Sequence, residues 1–512
     1  MEKRIEEGKG DVIKLKRDRN SLLNISKFAI PEILGNIFVW SLVREENQLY
    51  SRHFEEPPEG AYNFLLVCHR WLEVASQTPE VWSFWGNTLQ DWKKLHHRSG
   101  ATPLDLVLDG DRCVPGVRFD DSLSYAIKNR VMQDTIRQAH LRSNDSDTLK
   151  NIISALTPDD EGGRGENIES IIWDNTGSSF VDISDFFALT RLSKLRFLEV
   201  SGDFGISSWT GLVSGTTLLT TLSLGFGRSP PPLQLLSILG SNPNLQYLRL
   251  DITSGPAGLD EATFLVPLRN LKMLTLTGYA RPLCGFLSRL VLPETLEEMD
   301  LTLSDPAMQD ISRILEPQVK GHFRRDTRFQ DELRVLFSST DHSVSVSVVA
   351  VSSKAATPNG GSPSVSLKAS LMDQPQATLQ QLSLLLLPII PREHVVSFHY
   401  SLGIELPAGL FFMMPKIEVL CLADGQLFKG FLQPKPRASK TNHFPSLRLL
   451  RLEHVEFPTD RHWDYLAKYL TRQISNGQIT SLEVVGELPH MSPRVADEIY
   501  GLVAEFIHDD RQ

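Results

Sequence analysis

The chain has 512 residues, 41% hydrophobic and 22% charged, with a formal net charge of −10. That length exceeds one ordinary core, so several domains or one elongated array are expected, and the composition is that of a globular chain rather than a disordered one. The acidic balance repels a phosphate backbone on average, so no nucleic-acid partner is expected; the basic clusters at Lys14, Lys16, Arg17 and Arg19, and at 320–328, read as solvated faces.

Four cysteines, Cys68, Cys113, Cys284 and Cys421, lie far apart without a C-x-x-C pair, which argues against a disulfide framework or a structural zinc site and fits a reducing compartment. The first 25 residues are densely charged and carry no signal-peptide apolar segment. The longest apolar run, Leu384–Leu387, stops at Pro388 and is too short to cross a bilayer, so no membrane partner is expected. A cytoplasmic or nuclear protein is the expectation.

In chain order, residues 1–24 form a charged N-terminal segment and residues 25–90 a helical domain. Pro31 suits a first helical turn, where its missing N–H leaves nothing unsatisfied, and Glu32 favours the helix start. Ile30, Ile33, Leu34, Ile37, Phe38, Ser41 and Leu42 then recur at helical spacing. An acidic, proline-containing loop covers 44–61. A second helix is expected from about Tyr62 to Ser76, with Leu65, Leu66, Cys68, Trp71, Leu72 and Ala75 inward. Thr78 is expected to cap a third helix that has Pro79 in its first turn and continues through Val81, Trp82 and Trp85. Three short helices cannot bury all this apolar surface among themselves, so the surplus awaits a partner.

The ordered combination Pro31-Glu32-Ile33-Leu34, Val67-Cys68-x-x-Trp71 and Thr78-Pro79-x-x-Trp82 resembles an F-box, the module that docks a substrate receptor onto the Skp-type adaptor of a cullin–RING ubiquitin ligase. The resemblance covers about a tenth of the chain, and Ile30 replaces the usual leucine before the proline. Loops such as 44–61 are familiar in F-box proteins of mushroom-type fungi, which the chain resembles. The resemblance implies adaptor contacts at Ile30, Pro31, Glu32, Ile33, Leu34, Ile37, Phe38 and Val67. It implies an internal F-box core of Leu66, Cys68, Trp71, Pro79 and Trp82.

Leu104, Leu106 and Leu108 alternate and read as a strand joining this module to the longer C-terminal part of the chain. From there one phrase, apolar-x-x-apolar-x-apolar, recurs at Leu195/Leu198/Val200, Leu219/Leu222/Leu224, Leu245/Leu248/Leu250, Leu271/Leu274/Leu276 and Leu296/Met299/Leu301. It returns at Leu379/Leu382/Leu384, Ile417/Leu420/Leu422, Leu447/Leu450/Leu452 and Ile479/Leu482/Val484, with weaker copies from Ile136 and Ile168. Starts from Leu195 to Leu296 are 24, 26, 26 and 25 residues apart, a leucine-rich-repeat period. Each phrase predicts a short strand anchored by its first residue, with a helix such as Pro232–Leu239 returning outside. Stacked neighbours then close the core. The asparagine usual after the strand is missing from the aligned copies, so unequal, irregular repeats are expected, similar to the divergent leucine-rich repeats of fungal F-box proteins.

Residues 338–378 interrupt the array. Val344, Val346 and Val348, then Val365 and Leu367 across Asn359-Gly360-Gly361, read either as an inserted hairpin or as a Ser-rich loop. The expected fold is therefore α/β: an N-terminal three-helix F-box followed by an irregular (βα) leucine-rich-repeat solenoid over 104–337 and 379–512. No G-x-S-x-G, P-loop or H-E-x-x-H motif is present, and His96-His97 has no spaced ligand partners, so no catalytic, cofactor or metal residues are expected. The chain reads as a non-catalytic substrate-recognition subunit whose partners are the Skp-type adaptor, through it cullin and RING subunits, and an unknown target protein. The rival reading is a repeat scaffold with no ubiquitin role.

Overall fold

The computed structural model describes residues 14–16, 18–19, 30–42, 61–86, 97–110, 121–132, 134–158, 165–206, 218–226, 232–252, 265–304, 332–340, 343–351, 364–370, 390–401, 414–426, 445–456, 460–474, 479–485 and 493–509. The acidic stretch 44–60, the Asn359-Gly360-Gly361 turn, the Leu379/Leu382/Leu384 phrase and Cys113 lie outside them. The chain divides into two compact units, residues 1–230 with 237–245, and residues 231–236 with 246–512. Each unit is α/β and is built on a sheet of parallel strands.

The first unit begins with helix α1 (Pro31–Leu42). The helix expected over 62–76 is instead two pieces, a 3-10 segment at Ala61–Leu66 and α2 (His69–Ser76). Cys68 between them is extended, at φ −158° and ψ 171°. Phe64 and Cys68 on either side of the break are buried, while Leu66 between them is exposed. Thr78 does not cap the next segment through its side chain. Its hydroxyl donates back to the Val74 carbonyl at 2.8 Å, and Pro79–Trp82 is a single 3-10 turn. Trp82 is fixed by its indole N–H, which donates to the Ala75 carbonyl at 2.7 Å. Trp85 has already left the helix and sits in strand β1 (Phe84–Trp85).

Strand β1 pairs in parallel with β2 (Leu104–Asp109), and the Asp105 amide donates to the Ser83 carbonyl at 2.9 Å. The helical segment is thus hydrogen-bonded to the sheet. The unit continues through α3 (Asp121–Met132), β3 (Ile136–Ser143), α4 (Ser146–Leu156), β4 (Ser170–Asn175), β5 (Val181–Asp182), α5 (Ser184–Leu189), β6 (Phe197–Gly202), β7 (Phe204–Gly205) and β8 (Thr221–Phe226). The ladder runs β1-β2-β3-β4-β6-β8, all parallel, with β5 and β7 pairing separately. Asp145 starts α4 by accepting from the Asp147 amide at 3.1 Å and the Thr148 hydroxyl at 2.5 Å. Trp173 packs edge-on against Phe186, with centroids 4.8 Å apart, and so ties β4 to α5. The helix expected at Pro232–Leu239 is α6 (Pro232–Ser241), with Leu235, Leu236, Ile238 and Leu239 buried.

The second unit contains β9 (Tyr247–Ile252), β10 (Val266–Pro267), β11 (Met273–Tyr279), α7 (Ala280–Leu287), β12 (Leu290–Val291), β13 (Glu298–Ser304), β14 (Glu332–Thr340), β15 (Ser343–Val351) and β16 (Ser364–Ser370). There follow β17 (Val395–Ser401), β18 (Val419–Gln426), β19 (Leu449–Glu456), α8 (Asp460–Ile474), β20 (Ser481–Val485), α9 (Pro493–Leu502) and β21 (Glu505–Asp509). Its ladder runs β9-β11-β13-β16-β15-β14-β17-β18-β19-β20-β21. Only β15 is antiparallel to its neighbours.

The repeated phrase sets the register. Leu248 faces Leu274 and Leu274 faces Met299, while Leu420 faces Leu450 and Leu450 faces Leu482. Like positions of successive phrases are therefore cross-strand partners. The first leucine of each phrase is buried just ahead of its strand, as at Leu195, Leu219, Leu245, Leu271, Leu296 and Leu447. Just ahead of the strands, one backbone carbonyl accepts from two successive amides of the next phrase. The Gln246 carbonyl accepts from the Lys272 and Met273 amides at 2.7 and 3.0 Å, and the Arg448 carbonyl from Thr480 and Ser481 at 3.0 and 3.1 Å. Asparagines also act between successive phrases: Asn167 donates to the Asp134 carbonyl at 2.8 Å. Buried Asn175 donates to the Ser179 and Asp203 carbonyls at 2.9 and 3.1 Å. It stands one position earlier than the repeat pattern would put it, which hid it in the sequence.

The interruption at 338–378 contains the antiparallel pair β15–β16, with Val346 opposite Leu367 and Val348 opposite Val365. A third strand, β14, starts at Glu332, ahead of the expected boundary. These strands extend the ladder rather than leave it, because β16 pairs with β13 and β14 with β17. Their backbone groups close the exposed edges that β13 and β17 would otherwise present.

Candidate docking ridge and polar sheet face

Helix α1 has two apolar faces. The inner one is Leu34, Gly35 and Phe38, all buried. Phe38 stacks on Phe64, with centroids 4.4 Å apart and planes at 7°, and is tilted against Trp71 at 5.2 Å. Gly35 lets the helix lie close to Thr78, since a Cβ there would be 2.9 Å from the Thr78 hydroxyl oxygen. The outer face is Ile30, Ile33, Ile37 and Trp40, between 48% and 76% exposed. Their three- and four-residue steps place them in one stripe, which no described residue seals.

The expected contact residues therefore separate. Ile30, Pro31, Glu32, Ile33 and Ile37 are exposed, and Val67 is half-buried. Leu34 and Phe38 are 0% and 1% exposed, which corrects their assignment as contacts: they hold the helix onto its neighbours and cannot touch a second chain without unfolding it. Of the expected core, Cys68 and Trp82 are buried, while Trp71 and Pro79 are half-buried. Leu66 is 52% exposed and belongs to the surface; Phe64 takes the interior place expected for it. Trp40, the most exposed member of the ridge, was not among the expected contacts, although its position three residues after Ile37 marks it.

A second surface is the outward face of the sheets, formed by residues alternating with the buried leucines. In the first unit it is polar and internally paired. Arg137 donates to both carboxylate oxygens of Asp105, at 2.9 and 2.5 Å, and Arg142 lies 3.5 Å from Asp174. His140 and Ser170 are hydrogen-bonded at 2.9 Å, and Ser201 donates to Asp174 at 2.7 Å. Burial pushes the Asp105 carboxyl up despite Arg137, which lowers it. Such a face can meet a polar protein surface through ion pairs already in place.

In the second unit the outward face of its own sheet carries His399 on β17, Cys421 on β18 and Glu453 on β19, whose donor atoms lie within 4.8 Å of one another. Arg451 Nε is 2.5 Å from Glu453 Oε1, and its Nη1 is 3.4 Å from Glu483 Oε2. Burial, then Glu453, pushes the Cys421 thiol well above its usual range. The expectation of no ligand-bearing cluster missed this trio because its members come from three strands, one of them outside the recognised phrases.

His97 is exposed, and Trp463 is core. Among the described residues no helix is long and apolar enough to cross a membrane. No family model matches the chain, and no curated protein matches it.

Proposed function

We propose that the chain is a substrate-recognition subunit of an SCF-type ubiquitin ligase, an F-box joined to irregular leucine-rich repeats. The observation that carries this reading is the bare apolar stripe Ile30, Ile33, Ile37 and Trp40 on a helix that opens with the F-box-like Pro31-Glu32-Ile33-Leu34. An apolar ridge of this kind on a small helical module is costly in water unless a second polypeptide covers it. The occupant is the Skp-type adaptor, through which cullin and RING subunits join.

The β1–β2 pairing supports a receptor architecture, because it couples the docking helices to the first repeat strands by backbone hydrogen bonds. A target held on the polar sheet face would sit at a fixed offset from the adaptor. Catalysis belongs to the other subunits, and this chain contributes by raising the effective concentration of target lysines near the charged conjugating enzyme.

The test is reconstitution. The full chain, mixed with a Skp-type adaptor, cullin and RING subunit, should co-elute as one stoichiometric complex on size exclusion. An adaptor that elutes alone at micromolar concentrations of both would overturn the reading and favour the repeat scaffold.

A further inference from the structure

We infer that His399, Cys421 and Glu453 form a binding site for a borderline-soft divalent cation, zinc by the chemistry of the donors, on the outward face of the second unit's sheet. Register brings them together. His399 and Cys421 are direct partners across β17 and β18, and Glu453 pairs with Ala423, one same-face step along from Cys421. Alternation along each strand sends all three side chains to one side, opposite the buried Phe398, Leu420, Leu422 and Leu452.

The spacing suits the ion. Zinc bonds of about 2.0–2.3 Å set tetrahedral donor atoms roughly 3.3–3.8 Å apart. The three donors here, all within 4.8 Å of one another, converge with small side-chain rotations. An imidazole nitrogen, a thiolate sulfur and a carboxylate oxygen are a set that zinc accepts, whereas calcium and magnesium take oxygen alone.

Charge also balances. A thiolate and the Glu453 carboxylate neutralise a dication, and the thiol proton leaves to solvent as the metal binds. Arg451 stands against Glu453 Oε1, and Glu483 offsets the guanidinium charge. Charged support of a ligating carboxylate is usual around metals. Three protein donors leave a fourth position for water on the open side of the sheet.

Cobalt(II) titrated into the purified full chain tests the site. Expected is one equivalent bound with the near-ultraviolet charge-transfer band of a cobalt–thiolate bond, lost in Cys421→Ser. Glu453→Gln and His399→Ala should weaken binding by at least about tenfold, the smallest loss that removing even an indirect partner of a bound metal produces. These two half-buried positions decide the matter should Cys421→Ser fail to fold. Zinc should raise the melting temperature of the wild type more than that of Glu453→Gln. The inference is overturned by a wild type without the band, by a band that survives Cys421→Ser, or by Glu453→Gln and His399→Ala binding cobalt as wild type does.

Discussion

Ile33 and Leu34 are adjacent in sequence but answer to different equilibria. Leu34 is 0% exposed and Ile33 is 52% exposed, with Ile37 alongside it at 48%. Fully burying an isoleucine is worth about 1.5–3 kcal/mol, so covering the bare halves of Ile33 and Ile37 gives about 2 kcal/mol, or roughly thirtyfold in Kd. The double variant Ile33→Asp, Ile37→Glu removes that and places two carboxylates in the interface, making thirtyfold a lower bound. Folding should hardly notice. The introduced aspartate would sit in the first turn, where negative charge is favourable, and glutamate is a good helix former, so the stability change should stay within about 0.5 kcal/mol. Leu34→Ala should behave in the opposite way, costing about 2–5 kcal/mol of stability through lost burial and a cavity. Titration calorimetry against the adaptor, paired with urea unfolding of each variant, reads both quantities. Unchanged adaptor affinity in the double variant would refute the docking ridge; a stability loss equal to that of Leu34→Ala would refute the two-faced helix.

Gly202→Ala should destabilise the first unit by more than about 1 kcal/mol, seen as a lower urea midpoint, because Gly202 has φ +99° and a Cβ there would lie 2.0 Å from the Asn175 carbonyl oxygen. Asn175→Ala should cost about 1–3 kcal/mol in the same assay, since it leaves the Ser179 and Asp203 carbonyls without their shared donor. Burial, then Asp300, raises the Glu298 carboxyl above its ordinary range, so the folded chain holds that proton more tightly than the unfolded chain does. The stability linked to it is present at low pH and is lost as pH rises through the folded value. Glu298→Gln should therefore melt at or above the wild-type temperature at neutral pH, with the advantage vanishing as pH falls through the carboxylate range.

The strands were largely legible in the sequence because their determinants are local. A period of two with one anchoring leucine suffices to mark where a chain must extend, and the phrases at Leu271, Leu296 and Leu447 mark β11, β13 and β19 within a few residues. Helix α1 was legible in the same way, from Pro31 and the apolar spacing. Its exposed face was legible only in part, because Leu34 and Phe38 share the helix with Ile33 and Ile37 and the spacing alone does not say which stripe a neighbour has already covered.

The remainder depended on partners distant along the chain. Phe64 rather than Leu66 turns inward because Phe38 lies ready to stack on it. The valine-rich segment becomes part of the ladder because β13 and β17 offer it edges, and no periodicity within 332–370 names those partners. His399, Cys421 and Glu453 are neighbours only through the parallel register of three strands. Sequence by itself determined where the backbone extends and coils, since those preferences act within a few residues. Only the tertiary structure decided which apolar face stayed bare and which side chains met, because those outcomes are set by contacts between segments far apart in the chain.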